Sequence, residues 1–301
     1  MRIEKRSSIS KIIENALRPP QNMALPAEEE AKKQEINKDI QRLVEEVQKP
    51  AHQTMHLTSE KYLAKEPSKT EAELDYSEYY SHRILKEMQG KSYYCGPVSI
   101  LAMMGQEPLV NLESMKKEID EDKIGGYFGE DIKNKKKGLT VLDFAELAHD
   151  IIPKGVFSQD YKRINAQILV FSDIGNIVEL YAPGSVQRDG RIIGKSDLSK
   201  ECVDLVEKRV RIENAMLDTS DIVFLIRMGY NVAINYKDHY VVGYGVEIKH
   251  YKDNTKYADI RFFDPETGDN SDSENVSRLK KHLEEGQPVE GVAIRLQLLD
   301  S

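Results

Sequence analysis

The residues best suited to covalent chemistry are a cysteine, a histidine and an aspartate that lie far apart in the chain. Cys95 follows Gln89 by six residues and begins a predicted helix, because Pro97 suits a first helical turn and Gly105 a helix end. The unpaired N–H groups and the positive dipole end of such a helix favour the thiolate, the nucleophilic form of cysteine. A buried cysteine that opens a core helix is the alternative interpretation of this segment taken alone.

Two later segments add a base and a carboxylate. Residues 238–246 predict a strand with His239 near its start, and residues 260–268 predict a strand that ends at Asp264. In a hairpin these two residues face each other when the turn centres near position 251.5. The polar turn candidate at residues 252–255 lies within about two residues of that point. The sequence therefore predicts that the two side chains approach one another across a hairpin.

Cysteine, histidine and aspartate together supply a nucleophile, a base and a carboxylate that orients the base. His239 would hold the proton released by Cys95, and Asp264 would fix the imidazole tautomer and stabilise the imidazolium. The side-chain amide of Gln89 and the backbone N–H of Cys95 would donate to the oxyanion of a tetrahedral intermediate. An ordinary strand histidine and a turn-forming aspartate are the alternatives, and the coincidence of all four residues favours catalysis.

The segments that carry these residues resemble papain-like cysteine peptidases, and within them the group related to the bacteriocin leader peptidases that cut after a double glycine. The resemblance rests on Gln89, on residues 94–97 (Tyr-Cys-Gly-Pro), on His239 with the strand after it, and on residues 263–268 (Phe-Asp-Pro-Glu-Thr-Gly). It implies the same four roles for these residues. It also implies an α+β fold in which a helical lobe carrying the cysteine helix packs on an antiparallel β-sheet, with the substrate cleft between them.

The resemblance covers residues 87–105 and the chain from Thr219 to its end. Residues 107–216 match no motif, and we expect them to form an α-rich insertion. Papain-like folds also host deamidases and transglutaminase-like acyl transferases, among them bacterial effectors that modify target proteins, with the same three residues. The implied substrate is a protein or peptide, and both peptide cleavage and side-chain modification stay open. A non-catalytic protein-binding module on the same scaffold is the alternative outside enzymes.

The first 75 residues differ from the rest and predict a helical, partly disordered extension of a catalytic domain at residues 76–301. Residues 27–48 are a charged helical run. Its apolar positions recur at spacings of four, three and four residues: Ile36, Ile40, Leu43 and Val47. This stripe suits packing or a partner helix. The extension lacks the apolar segment of a secretory signal, so we expect a cytoplasmic protein or export into a host cell by a specialised secretion system.

Periodicity and turn residues predict further elements in the rest of the chain. Helices are expected at residues 114–121, 140–150, 198–216 and 221–228, with Thr140 as an N-cap. Strands are expected at residues 166–171, 177–181, 232–236 and 291–299.

Composition excludes several functional classes. A net charge of −8 over 301 residues argues against nucleic-acid binding through phosphate contacts. Two cysteines indicate no disulfide framework and a reducing compartment, and no apolar run reaches the roughly 20 residues of a membrane span. His52 and His56 have the spacing of zinc ligands on a helix, but Gln53 stands where a zinc protease needs glutamate. Residues 190–196 lack the spacing of a phosphate loop. We therefore expect no metal and no cofactor.

Overall fold

The computed structural model describes residues 27–47, 57–90, 94–106, 111–119, 139–152, 164–173, 200–268 and 273–298. The helices are α1 (Ala27–Val47), α2 (Cys95–Met104), α3 (Leu112–Glu118), α4 (Val141–Ile151), α5 (Lys200–Glu207), α6 (Thr219–Arg227) and α7 (Glu274–Glu284). The strands are β1 (Leu74–Ser81), β2 (Ile164–Ser172), β3 (Arg211–Asn214), β4 (Asn231–Tyr236), β5 (His239–Tyr251), β6 (Lys256–Phe263) and β7 (Glu290–Leu298). The fold is mixed α+β with one large, mainly antiparallel sheet.

The sheet has the strand order β1-β5-β4-β7-β2-β3, with β6 also paired to β5. The pair β2–β3 is parallel and the other pairs are antiparallel. Strand β5 is long enough to take three partners: β4 pairs with its first half, β1 with its second half, and β6 with residues 242–250. Strand β6 pairs with residues of β5 that also pair with β4 or with β1. It must therefore lie along the opposite edge of β5 from both of them, so β4 and β1 share one edge.

Helices cover both faces of the sheet. Val241 lies in a buried cluster with Ile222 of α6 and Leu279 of α7. The adjacent Tyr240 points to the other face, where its ring stacks on Phe144 of α4 with centroids 4.7 Å apart. A bulge between Gly243 and Gly245 shifts the alternation of β5, so that Val246 and Ile248 also join the α6–α7 cluster.

Most predicted elements are confirmed within a few residues. Helix α2 begins at Cys95, and α4 begins after Thr140, whose hydroxyl and Asp143 form a reciprocal capping box. Strand β4 and helix α6 also lie where the sequence predicts them. The predicted strand at residues 177–181, the two histidines at 52 and 56, and residues 190–196 lie outside the described residues.

The predicted helix over residues 198–216 is wrong in its second half. Helix α5 ends at Glu207, Arg209 takes a left-handed conformation with φ of 64°, and Arg211–Asn214 pairs with β2 as β3. Strand β2 in turn lies between β7 and β3. The interval 107–216, expected as an α-rich insertion, therefore contributes two strands to the main sheet. The pairing of β3 with β2 outweighs the local helical preference of its residues.

The chain divides into two compact units, Met1–Asp39 and Ile40–Ser301. Within the second unit, Ile40 and Leu43 of α1 are buried, and the Arg42 guanidinium donates to the Ile212 carbonyl of β3 at 3.1 Å. The Leu63 N–H also bonds the Lys256 carbonyl at 2.7 Å. Residues before the predicted boundary at position 75 thus pack against the sheet, and that boundary stays a prediction. Among the described residues, no helix has the length and apolar content needed to cross a bilayer.

Candidate active site

The thiol of Cys95 is held at the start of α2. Every residue of this helix is buried, and Cys95 is 2% exposed, so the position of the thiol is set by core packing. The preceding Tyr94 makes no side-chain cap, which leaves the first N–H groups of the helix for another acceptor. A Cβ atom at Gly96 would lie 2.7 Å from Leu139 Cδ1. Glycine therefore lets the first turn of α2 approach residue 139 closely.

His239 follows a two-residue hairpin turn. Lys237 and Asp238 connect β4 to β5 with φ of 52° and 62°, the two positive values of a type I′ turn. This turn matches the right-handed twist of paired strands, and it places Tyr236 opposite His239. The imidazole thus stands at the first residue of β5, beside a tight turn, with its side chain 17% exposed.

Asp264 comes directly after the last residue of β6. Strands β5 and β6 pair so that Val242 lies opposite Phe263. The turn between the two strands lies about two residues later in the chain than position 251.5, where the sequence predicts it. Asp264 nevertheless reaches back to the start of β5, where the His239 Nε2–H donates to its Oδ1 at 2.7 Å. The predicted approach of His239 and Asp264 is confirmed, although the two residues are not direct partners in the ladder.

Four donors surround the carboxylate of Asp264, which is fully buried. Its Oδ1 accepts from His239 and from the Glu266 N–H at 2.9 Å. Its Oδ2 accepts from the Ser273 hydroxyl and from Asn275 Nδ2 at 3.2 Å. Burial raises the pKa of Asp264, but these hydrogen bonds and the charge of His239 outweigh burial and lower it to about 2. The carboxylate is therefore an anion over the whole physiological pH range.

The imidazole of His239 bonds the carboxylate of Asp264, and its pKa is also affected by the thiol of Cys95. Burial lowers the pKa of His239, but hydrogen bonds to Asp264 and Cys95 and their negative charges outweigh burial and raise it to about 10. Because Asp264 engages Nε2, Nδ1 is the ring nitrogen left for the thiol. The structure thus joins His239 to Asp264 by a hydrogen bond, and the raised pKa of His239, to which Cys95 contributes, favours the imidazolium form.

Gln89 lies at the turn that carries the carboxylate. Its backbone N–H donates to the Pro265 carbonyl at 2.7 Å, one residue beyond Asp264. The side-chain Oε1 is buried and has no hydrogen-bond partner among the residues that the structure describes. This oxygen is an acceptor available to a donor on a ligand, whereas the proposed oxyanion contact would come from the NH2 group of the same amide.

A metal ion is the other occupant that this turn could attract. His239, Asp264 and Glu266 offer ligand atoms within 4.8 Å of one another. Both oxygens of Asp264 already accept two hydrogen bonds from protein donors, and a metal on Nε2 would displace the one from His239. The donor set fits an oriented histidine better than a metal centre.

The sequence prediction missed the partners of Asp264 at the start of α7. Ser273 is the N-cap of that helix, and Asn275 lies in its first turn. The sequence does contain a pattern that predicts this helix, since Ser273 followed by Val276, Leu279 and Leu283 has the spacing of a capped amphipathic helix. Only the folded chain brings this helix start against the carboxylate.

Known proteins provide no further assignment for this site. Comparison of the chain with models of protein families, with curated proteins and with solved structures finds no match. The chemistry of the site therefore has to be argued from its own residues.

Proposed function

We propose that this chain is a papain-like cysteine hydrolase that acts on an amide bond of a protein or peptide through a thioester on Cys95. The observation that carries the proposal is the hydrogen bond from His239 to the buried carboxylate of Asp264, with the pKa of the histidine raised to about 10, against the effect of burial, by Asp264 and Cys95 together. The proposal assigns to Cys95, His239 and Asp264, from distant parts of the chain, the roles of nucleophile, base and orienting carboxylate.

The proposed reaction has two stages. The Cys95 thiolate attacks the carbonyl carbon, and the resulting oxyanion accepts hydrogen bonds from the Cys95 N–H and the Gln89 amide. The C–N bond then breaks as the His239 imidazolium gives its proton to the leaving nitrogen. In the second stage His239 takes a proton from water, and the hydroxide displaces the thiolate from the thioester. Asp264 stays ionised throughout and stabilises each imidazolium.

Peptide cleavage and side-chain deamidation share this thioester and differ in the carbonyl attacked. Incubation with candidate protein substrates and intact-mass analysis separates them, because cleavage divides the chain and deamidation adds about one mass unit. Acyl transfer to a second amine would appear as a covalent product of higher mass. Loss of all three activities in Cys95→Ala is expected.

A non-catalytic binding module on the same scaffold predicts an unreactive thiol. The test is the rate of alkylation by iodoacetamide against pH, with each site mapped by peptide mass spectrometry. Cys95 and Cys202 are both buried, with 2% and 0% of their surface exposed, so Cys202 is the internal reference: a faster reaction of Cys95 would come from its charge state and not from its exposure. We expect Cys95 to react faster than Cys202, and fastest relative to it at mildly acid pH. Equal rates at every pH would refute the enzyme.

A further inference from the structure

The two oxygens of the Asp264 carboxylate face different parts of the protein. Oδ1 faces the base and accepts from His239 Nε2 and the Glu266 N–H. Oδ2 faces the start of α7 and accepts from the Ser273 hydroxyl and Asn275 Nδ2. Because the carboxylate is fully buried, these protein donors replace the water that would otherwise solvate it. The charge of Asp264 is therefore maintained by the residues that contact it.

The hydroxyl of Ser273 makes hydrogen bonds to two neighbours, and only one orientation of its proton allows both. Its oxygen accepts from the Val276 N–H at 3.3 Å, which is the N-cap bond of α7. Its proton is then directed at Asp264 Oδ2. The residue is 3% exposed, so solvent does not compete for that proton. One buried hydroxyl thus both caps a helix and donates to the carboxylate that orients His239.

The N-terminal end of helix α7 also stabilises the negative charge of Asp264. The helix has 11 residues, and its N-terminal end lies against Asp264 through the Ser273 bond. The positive end of a helix dipole stabilises an anion placed there. Asn275 in the first turn adds a second donor, and its Nδ2 also bonds Glu266 Oε2 at 2.8 Å, which holds the amide in place.

We propose that Ser273 is a positioning residue of the active site, which holds the Asp264 carboxylate in the orientation that bonds His239 and so favours the His239 imidazolium. This inference rests on the proposed function and deepens it. The role is an indirect one, since Ser273 contacts the carboxylate and not the thiol. Asn275 supports the same oxygen from the side of Glu266.

A purely structural role for Ser273 predicts a different result from a positioning role. Loss of an N-cap alone lowers the stability of the helix and leaves the pH dependence of the thiol unchanged. Loss of the Ser273 bond frees Oδ2 and lets the carboxylate rotate away from His239, and a weaker bond to Asp264 lowers the preference of His239 for the imidazolium, so the thiolate forms at higher pH. The pH profile of Cys95 alkylation therefore separates the two roles.

The experiment compares the full-length wild type with Ser273→Ala, Ser273→Thr and Asn275→Ala. Ser277→Ala is the matched control, because Ser277 is exposed on the same helix one turn later. Iodoacetamide alkylation of Cys95 is measured from about pH 4 to about pH 9. Ser273→Ala should move the acid limb of the profile upward by about one pH unit, which is about a tenfold lower rate on that limb.

The other variants make the result specific. Ser273→Thr keeps a hydroxyl that both caps and donates, so it should restore the wild-type profile. Asn275→Ala should shift the limb in the same direction by a smaller amount, and the control should match the wild type. A folded Ser273→Ala with the wild-type acid limb overturns the proposal.

Two further outcomes are decisive. Where Ser273→Ala does not fold, Asn275→Ala provides the test, since it removes a donor to Asp264 and leaves the cap hydroxyl in place. An unchanged acid limb in that variant also overturns the positioning role. A wild-type Cys95 that reacts no faster than Cys202 at any pH refutes the proposed function itself, and the positioning role is refuted with it.

Discussion

Replacing Asp264 with asparagine keeps the shape of the side chain and removes its charge. An amide at this position has one oxygen and one NH2 group, whereas all four of its neighbours donate to the carboxylate. With the oxygen toward His239, the NH2 group meets the buried donors of Ser273 and Asn275. With the NH2 group toward His239, it donates to Nε2 and places the ring proton on Nδ1, the nitrogen that receives the Cys95 proton in the proposed reaction. Both arrangements impair the base.

The magnitude follows from the pKa of His239. The value of about 10, against an ordinary 6.5, corresponds at 1.36 kcal/mol per pKa unit to about 5 kcal/mol of preference for the imidazolium. Asp264 and Cys95 share this preference, and a hydrogen bond to a charged group accounts for about 1.5 to 3 kcal/mol. Asp264→Asn should therefore lower the rate of Cys95 alkylation near about pH 6 by about 10- to 100-fold. Turnover should fall further, by up to about 10⁴-fold, because the wrong tautomer also blocks proton transfer.

The assay is iodoacetamide labelling across pH, with Cys95 and Cys202 quantified in the same digest. Asp259→Asn is the matched control, since Asp259 lies on β6 only five residues earlier and bonds Lys280 at the surface. It should leave the labelling profile of Cys95 unchanged. An Asp264→Asn variant that labels like the wild type over the whole pH range would show that the carboxylate does not act on the thiol through His239.

Three further predictions follow from the same site. The pKa of His239 is raised from 6.5 to about 10, which stabilises the fold below pH 6.5, and this contribution is lost as pH rises towards 10. The pKa of Asp264 is lowered from 3.8 to about 2, which stabilises the fold above pH 3.8. The urea midpoint of unfolding should therefore be highest between pH 3.8 and pH 6.5. His239→Ala should remove the fall in that midpoint between pH 6.5 and about pH 10. Gln89→Ala should lower kcat by about 10² to 10³ and leave alkylation unchanged, because alkylation forms no oxyanion; equal losses in both assays would refute an oxyanion role. Gly96→Val should lower the free energy of unfolding by about 1 to 3 kcal/mol in urea titrations, since its side chain overlaps Leu139, and a stability equal to the wild type would contradict this packing.

Local sequence predicts those parts of the fold that local chemistry determines. The cap at Thr140 and the apolar spacing after it are enough to place α4. The runs of β-branched and aromatic residues around Val241 and Phe262 place the β5–β6 hairpin, and with it the meeting of His239 and Asp264.

Features that depend on distant contacts could not be predicted in this way. Helix α5 ends at Glu207, shortly before Arg209 takes a left-handed conformation, and no glycine or proline in this segment indicates that end. The four-residue strand β3 exists through its pairing with β2, which lies about 40 residues earlier in the chain. The hydrogen bond from Ser273 to Asp264 depends on where α7 packs, and the spacing of residues along the chain does not determine that position. Sequence therefore predicted the approach of His239 and Asp264 but not all of the residues that hold them.

The separation of Cys95 from His239, its proposed base, has a consequence for biosynthesis. The thiol leaves the ribosome 144 residues before His239 and earlier still than Asp264. A nascent chain that already contains α2 cannot yet form β5, so its cysteine has no proton acceptor at hand. Under the proposed function, truncated translation products should carry an inert sulfhydryl, and nucleophilic character should arise only when β5 and β6 have been made and have docked.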